Sequence, residues 1–142
     1  MTISTILKSK GSNVVSVRPD ETIDSAAKCL QREKIGAVLV MDAAGKLCGV
    51  LSERDIVNGL ANHGSGLLEK TVSELMTSDV ITCHPSDRVT RVMGMMTDRR
   101  IRHLPVLDGG ELIGVVSIGD IVKRRMEEIE SEAEALRSYI AT

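Results

Sequence analysis

The chain of 142 residues is 42% hydrophobic and 27% charged, with a formal net charge of −2 at pH 7. That length suits one compact domain or two small units sharing a core, and the charge offers no global basic field to draw in nucleic acid or an anionic membrane. Aromatic content is 1%, from Tyr139 alone, which argues against a base-stacking platform and leaves the core to Val, Ile, Leu, Met and Ala.

In chain order, Thr2-Ile3-Ser4-Thr5-Ile6-Leu7 comes first, followed by Lys10-Gly11-Ser12-Asn13. A short apolar strand is expected over residues 14–17, ending at Pro19. Pro19 and Asp20 are expected to open a helix, whose buried face is Ile23, Ala26, Ala27 and Leu30 at i, i+3, i+4, i+7 spacing. Two β runs, 37–41 and 47–51, form a hairpin around Asp42-Ala43-Ala44-Gly45. A second helix starts at Ser52. The stretch Asn62-His63-Gly64-Ser65-Gly66 is expected to be a flexible link.

Everything then returns. Thr71-Val72-Ser73-Glu74-Leu75-Met76 echoes residues 2–7, and a strand is expected over 80–83, ending at Pro85. Pro85 and Ser86 open a helix with Val89, Val92, Met93 and Met96 on its buried face, so these methionines read as core. Runs 104–107 and 112–116 flank Asp108-Gly109-Gly110, and Ser117 starts the last helix. Copy one carries an insertion around Lys10-Gly11-Ser12-Asn13; from the prolines onward the second copy is one residue shorter, and that loss falls in the hairpin turn, where length changes are tolerated. The expected fold is mixed α/β (α+β): two β-α-β-β-α units, 1–66 and 67–128, packed sheet to sheet with pseudo-two-fold symmetry. A helical extension, 129–142, follows. There Met126, Ile129, Ala133, Leu136 and Ile140 step by 3, 4, 3 and 4 among glutamates, a short a/d seam suited to a homodimer or to packing on its own domain.

The sharpest local signal is Ser-x-x-Asp at both strand-to-helix junctions, Ser52 with Asp55 and Ser117 with Asp120. A capping box uses the same residues for helix stability alone. A helix N-terminus also favours an anion such as phosphate, and a carboxylate one turn in can accept hydrogen bonds from a ribose diol. Arg99, Arg100, Arg102 and His103 precede the second copy's strand. They suit a solvated helix end or the bidentate grip of arginine on phosphate. Copy one has Lys34-Ile35-Gly36-Ala37 there instead.

Together these residues resemble the tandem cystathionine-β-synthase (CBS) domain pair, the Bateman module, over about residues 1–128. The resemblance rests on three features: the paired strands ending in proline, Arg102-His103-Leu104-Pro105-Val106, and the endings Gly49-Val50-Leu51-Ser52-Glu53-Arg54-Asp55-Ile56-Val57 and Gly114-Val115-Val116-Ser117-Ile118-Gly119-Asp120-Ile121-Val122. It implies a stand-alone regulatory module without chemistry or obligatory cofactor, binding an adenine nucleotide (AMP, ADP, ATP or NAD(H)) in clefts between the repeats. It further implies that Asp55 and Asp120 hold the ribose hydroxyls, with Ser52 and Ser117 on ribose or phosphate. Val14 and Ser16, or Val80 and Thr82, would frame adenine. Ala37, or Arg102, His103, Leu104 and Pro105, would line the cleft. Arg54 could reach phosphate where Gly119 cannot, and Lys10, Arg99 and Arg100 are further phosphate candidates. Leu39 replaces Pro105 in copy one, so the pockets are expected to differ, with Lys10 grouped with copy one.

Other classes are less supported. His63, His84 and His103 lack metal-ligand spacing, and no Gly-x-Ser-x-Gly elbow or phosphate loop is present. Nucleic-acid binding through Arg99, Arg100 and Arg102 runs against the net acidity. An interaction module with empty clefts, acting on a protein target, is the main alternative. Cys29, Cys48 and Cys83 read as unpaired thiols of a reducing compartment, and no signal peptide or membrane span is apparent. The expected location is cytoplasmic, with no membrane partner.

Overall fold

A computed structural model describes residues 1–11 and 13–141; Ser12 of the insertion and Thr142 of the extension lie outside the described residues. The elements are α1 (Ile3–Lys10), β1 (Ser16–Val17), α2 (Ile23–Glu33), β2 (Ala37–Met41), β3 (Leu47–Ser52), α3 (Glu53–His63), a 3₁₀ helix (Gly64–Glu69), α4 (Val72–Leu75), α5 (Val89–Arg99), β4 (His103–Asp108), β5 (Glu111–Ser117) and α6 (Ile118–Ala141). They gather into two compact units. One is the contiguous stretch Asn13–Ile81; the other joins Met1–Ser12 to Thr82–Thr142.

In the contiguous unit, β1 runs parallel to β2 with Ser16 opposite Leu39, and β3 returns antiparallel to β2 with Ala37 opposite Ser52. Its core holds Val17, Ile23, Ala26, Cys29, Leu30, Val38, Val40, Leu51, Leu67 and Val72. Two expectations are corrected here. Pro19 and Asp20 do not open α2; they form a turn in which Glu21 N–H donates to the Arg18 carbonyl (3.2 Å) and the Glu21 carboxylate accepts from Arg18 N–H (2.6 Å). Proline fixes the second turn position, and the helix waits for Thr22, whose hydroxyl caps Ser25 N–H. The expected link at 62–66 is also structured. α3 runs to His63 and the 3₁₀ helix follows at once, because fully buried Leu67 anchors it in the core.

The discontinuous unit pairs β4 with β5 antiparallel, His103 opposite Ser117. Here the strand expected over 80–83 shrinks to one parallel bridge: Cys83 N–H donates to the Pro105 carbonyl (3.0 Å), and its carbonyl accepts from Leu107 N–H (2.9 Å). The difference traces to one residue. In copy one, Leu39 N–H donates to the Val15 carbonyl; its counterpart Pro105 has no N–H, so the ladder stops. Burial, helped by the charge of Asp87, pushes the Cys83 thiol up to about 12, leaving it a protonated core group.

The two leading segments explain their own echo. Ile3 N–H donates to the Asp87 carbonyl (2.9 Å), Ser4 N–H to Pro85 (2.9 Å), and Val89 N–H to Met1 (3.1 Å). In the contiguous unit Val72 N–H donates to Glu21 (2.8 Å), Ser73 N–H to Pro19 (3.0 Å), and Ile23 N–H to Lys70 (2.8 Å). Each segment thus fastens to the proline turn of the other copy. The segment also lies over the last strand of its unit, and a glycine makes room for it: Gly49 beneath Met76 and Thr77, Gly114 beneath Leu7.

Candidate functional site

The two Ser-x-x-Asp junctions are built alike. Ser52 ends β3 in extended conformation and caps α3, its hydroxyl accepting from Asp55 N–H (3.2 Å) while Asp55 Oδ2 accepts from Ser52 N–H (2.9 Å). Ser117 and Asp120 repeat this at α6, at 3.1 and 2.9 Å. The carbonyl before each second strand closes the turn, Gly36 accepting from Glu53 N–H (2.9 Å) and Arg102 from Ile118 N–H (2.8 Å). Both are therefore capping boxes. Yet each box uses one carboxylate oxygen, and Oδ1 of Asp55 and of Asp120 makes no hydrogen bond among the described residues. Capping and ligand binding are compatible at the same side chain.

Lys10 is placed differently from the sequence expectation. It lies in the last turn of α1, which packs on β5, so it joins copy two: its Nζ is 2.7 Å from Asp120 Oδ2 and donates to the Val115 carbonyl at 3.0 Å. Burial pushes the Asp120 carboxyl up. Hydrogen bonds from Lys10 and Ser117, with the Lys10 charge, outweigh that and hold it below the usual carboxylate value. Asp55 has no ion pair among the described residues. Because the folded value of Asp120 is depressed, its stabilising contribution is full above the unfolded value and is lost as pH falls through the folded one. Lys10→Met is expected to raise the Asp120 value and to start acid unfolding at higher pH. At neutral pH this partly exposed pair contributes about 1 kcal/mol or less. Carboxyl titration by NMR with melts across the acidic range checks this; an unchanged Asp120 titration would contradict it.

The remaining candidates divide between the units. In the contiguous unit, Val14, Ala37 and Val80 are half-buried, while Ser16 and Arg54 are exposed. In the other, Thr82 and His103 are half-buried, Arg102 is exposed, and Leu104 and Pro105 are buried. Leu104 is wholly enclosed, so its side chain belongs to the core. Arg99 ends α5 and Arg100 is its left-handed C-cap (φ 54), as Lys34 is for α2 (φ 57). Positive charge suits a helix C-terminus, which accounts for this pair without a ligand. Sequence reasoning missed the Val115 carbonyl and the pairing of Lys10 with Asp120. The echo of residues 2–7 was the available signal, but it did not say which copy α1 joins. An open hollow of about 460 Å³ at the start of α5, lined by Ser86, Asp87, Arg88, Thr90 and Arg91, contains none of these candidates. Among the described residues no His/Cys/Asp/Glu cluster is placed to hold a metal ion, and no helix is long and apolar enough to cross a membrane.

A duplicated α/β unit with a matched Ser-x-x-Asp helix start in each copy defines a tandem-repeat module. The CBS domain model matches residues 6–62 and 72–127, and the chain belongs to the CBS-domain family. It is similar to the CBS-domain containing protein ATU1752 from Agrobacterium tumefaciens, at 43% identity and TM-score 0.86, covering 87% of this chain and 92% of that one. The CBS domain pair of protein MJ0100, solved in complex with 5′-methylthioadenosine and S-adenosyl-L-methionine, matches at 29% identity and TM-score 0.79, covering 90% of this chain and 98% of that one. By sequence, the mitochondrial CBS domain-containing protein CBSX3 of Arabidopsis thaliana is 35% identical over 147 residues, 98% of this chain and 71% of that protein.

Proposed function

We propose that this chain is a regulatory module that binds an adenosine-containing ligand, with Asp55 and Asp120 as the ribose-holding groups. The observation that carries this reading is the uncommitted Oδ1 at two junctions of the same build, and the likeness to the MJ0100 pair supports it. Ser52 and Ser117 stand beside these carboxylates. Ser16 and Ala37 in one unit, with Val14 and Val80, and Thr82, His103 and Pro105 in the other, supply the surfaces for the base. Arg54 in one copy, and Lys10 and Arg102 in the other, supply charge for a phosphate such as that of AMP, ADP, ATP or NAD(H). The ligand acts by preferring one conformational or assembly state over another and so shifting their populations. Unpaired Cys29, Cys48 and Cys83 fit a reducing compartment such as the cytoplasm.

Calorimetric titration with AMP, ATP, NAD, 5′-methylthioadenosine and S-adenosyl-L-methionine tests this. Asp55→Asn and Asp120→Asn keep an oxygen for the cap but remove the charged acceptor. Each is expected to weaken binding at its own site by roughly tenfold to a hundredfold, the worth of a hydrogen bond to a charged group. If no adenosine compound binds at millimolar concentration, or the double variant binds as the parent does, the reading is wrong.

A further inference from the structure

The two copies satisfy the same strand carbonyl in different ways, and the difference puts a charge beside one candidate aspartate. In the contiguous unit the Val50 carbonyl accepts from the backbone N–H of Thr77 (2.9 Å). Its counterpart, the Val115 carbonyl, accepts instead from Lys10 Nζ (3.0 Å), which also lies 2.7 Å from Asp120 Oδ2. α1 runs on to Lys10 and so delivers this ammonium. α4 stops at Leu75, and in the register that sets Thr71 on Thr2 the residue matching Lys10 is Asp79. Asp55 accordingly has its cap but no ion pair among the described residues.

We propose that Lys10 determines the specificity of the Asp120 site, selecting adenosine ligands whose 5′ group is anionic, such as a phosphate, over those whose 5′ group is neutral or cationic. The inference rests on the reading of Asp120 as a ribose-holding group. An ammonium has three N–H donors. Lys10 commits one to Val115 and one to Asp120, and the third makes no hydrogen bond among the described residues. Asp120 Oδ1 is open in the same sense. The side chains of Lys10 and Asp120 are 37% and 25% exposed, so a ligand can reach both. An open acceptor and an open cationic donor therefore stand side by side. The acceptor suits a ribose hydroxyl. The donor suits an anion carried on the same sugar, and its charge offsets the repulsion that a lone carboxylate would exert on that anion. Arg102 is exposed, its carbonyl closes the same junction, and its charge has the same sign as that of Lys10.

Calorimetric titration of the full chain carrying Asp55→Asn, which leaves Asp120 as the tighter site, tests this with AMP, 5′-methylthioadenosine and S-adenosyl-L-methionine. Affinity is expected to fall in that order. Adding Lys10→Met should weaken AMP by roughly tenfold to a hundredfold, the worth of a hydrogen bond between charged groups, and should tighten S-adenosyl-L-methionine, whose 5′ sulfonium is cationic. The partly exposed pair adds little stability at neutral pH, so this variant should fold. Lys10→Arg keeps the charge and should keep the parental order. A merely structural role would weaken all three ligands together. That result, an AMP affinity indifferent to Lys10→Met, or a Lys10→Arg variant that loses the preference for AMP would each overturn the inference and leave the ribose reading standing. If no adenosine compound binds the parent chain, the ribose reading falls and this inference with it.

Discussion

Ile3→Ala is expected to loosen the hairpin of the second repeat while leaving that of the first intact. Ile3 is fully buried and Ile6 nearly so, and both belong to α1, which packs in the discontinuous unit against β5 and α6. Truncating a buried isoleucine costs about 2–5 kcal/mol, the transfer term plus the cavity left behind. The cost should fall where the cavity opens. Native-state hydrogen exchange should show amides of β4 and β5 losing protection first, with those of β2 and β3 retained. The reverse order would mean that α1 serves the repeat it precedes in sequence.

Gly49→Ala is expected to destabilise the contiguous unit by about 1–3 kcal/mol, the usual range for overpacking. An added Cβ would lie 2.7 Å from Met76 Sδ and 2.8 Å from the Thr77 carbonyl oxygen. That carbonyl accepts from Val50 N–H at 3.0 Å, so it cannot retreat without breaking the bridge that seats the segment after α4. Gly114→Ala meets Leu7 Cδ2 at 2.7 Å, the end of a side chain that can turn aside, and should cost less. Neither glycine has a positive φ, so the difference is one of space. Denaturant unfolding of both variants measures it; equal costs would contradict the argument.

The repeat made most of the fold legible. The spacing of Ile23, Ala26 and Leu30, and of Val89, Val92 and Met96, marks buried helix faces in sequence as in structure. The hairpins were equally plain, because short apolar runs and a glycine turn between them are local properties. What sequence did not show is non-local. The absence of an N–H at Pro105 matters only once a parallel neighbour is in place. Lys10 sits in the copy-one insertion yet reaches Asp120, because α1 crosses to the other unit. At the junctions themselves, Ser52 with Asp55 and Ser117 with Asp120 satisfied two readings at once, since a capping box and a ribose acceptor call on the same side chain. The structure shows the cap on Oδ2 of each aspartate, with Oδ1 making no hydrogen bond among the described residues.

The crossing of α1 also bears on the order in which the chain can fold while it is being made. Residues 13–81 form a contiguous unit and can close as soon as they clear the ribosome. α1 emerges before that unit, yet its carbonyl partners at Pro85 and Asp87 and its neighbour β5 are synthesised much later. Until then Ile3, Ile6 and Leu7 have no core to enter. Loop closure over so long a separation is slow and leaves apolar surface open to other chains. α1 is therefore translated well before the strand that shelters it, and its apolar face waits longer for its core than any element of the contiguous unit does.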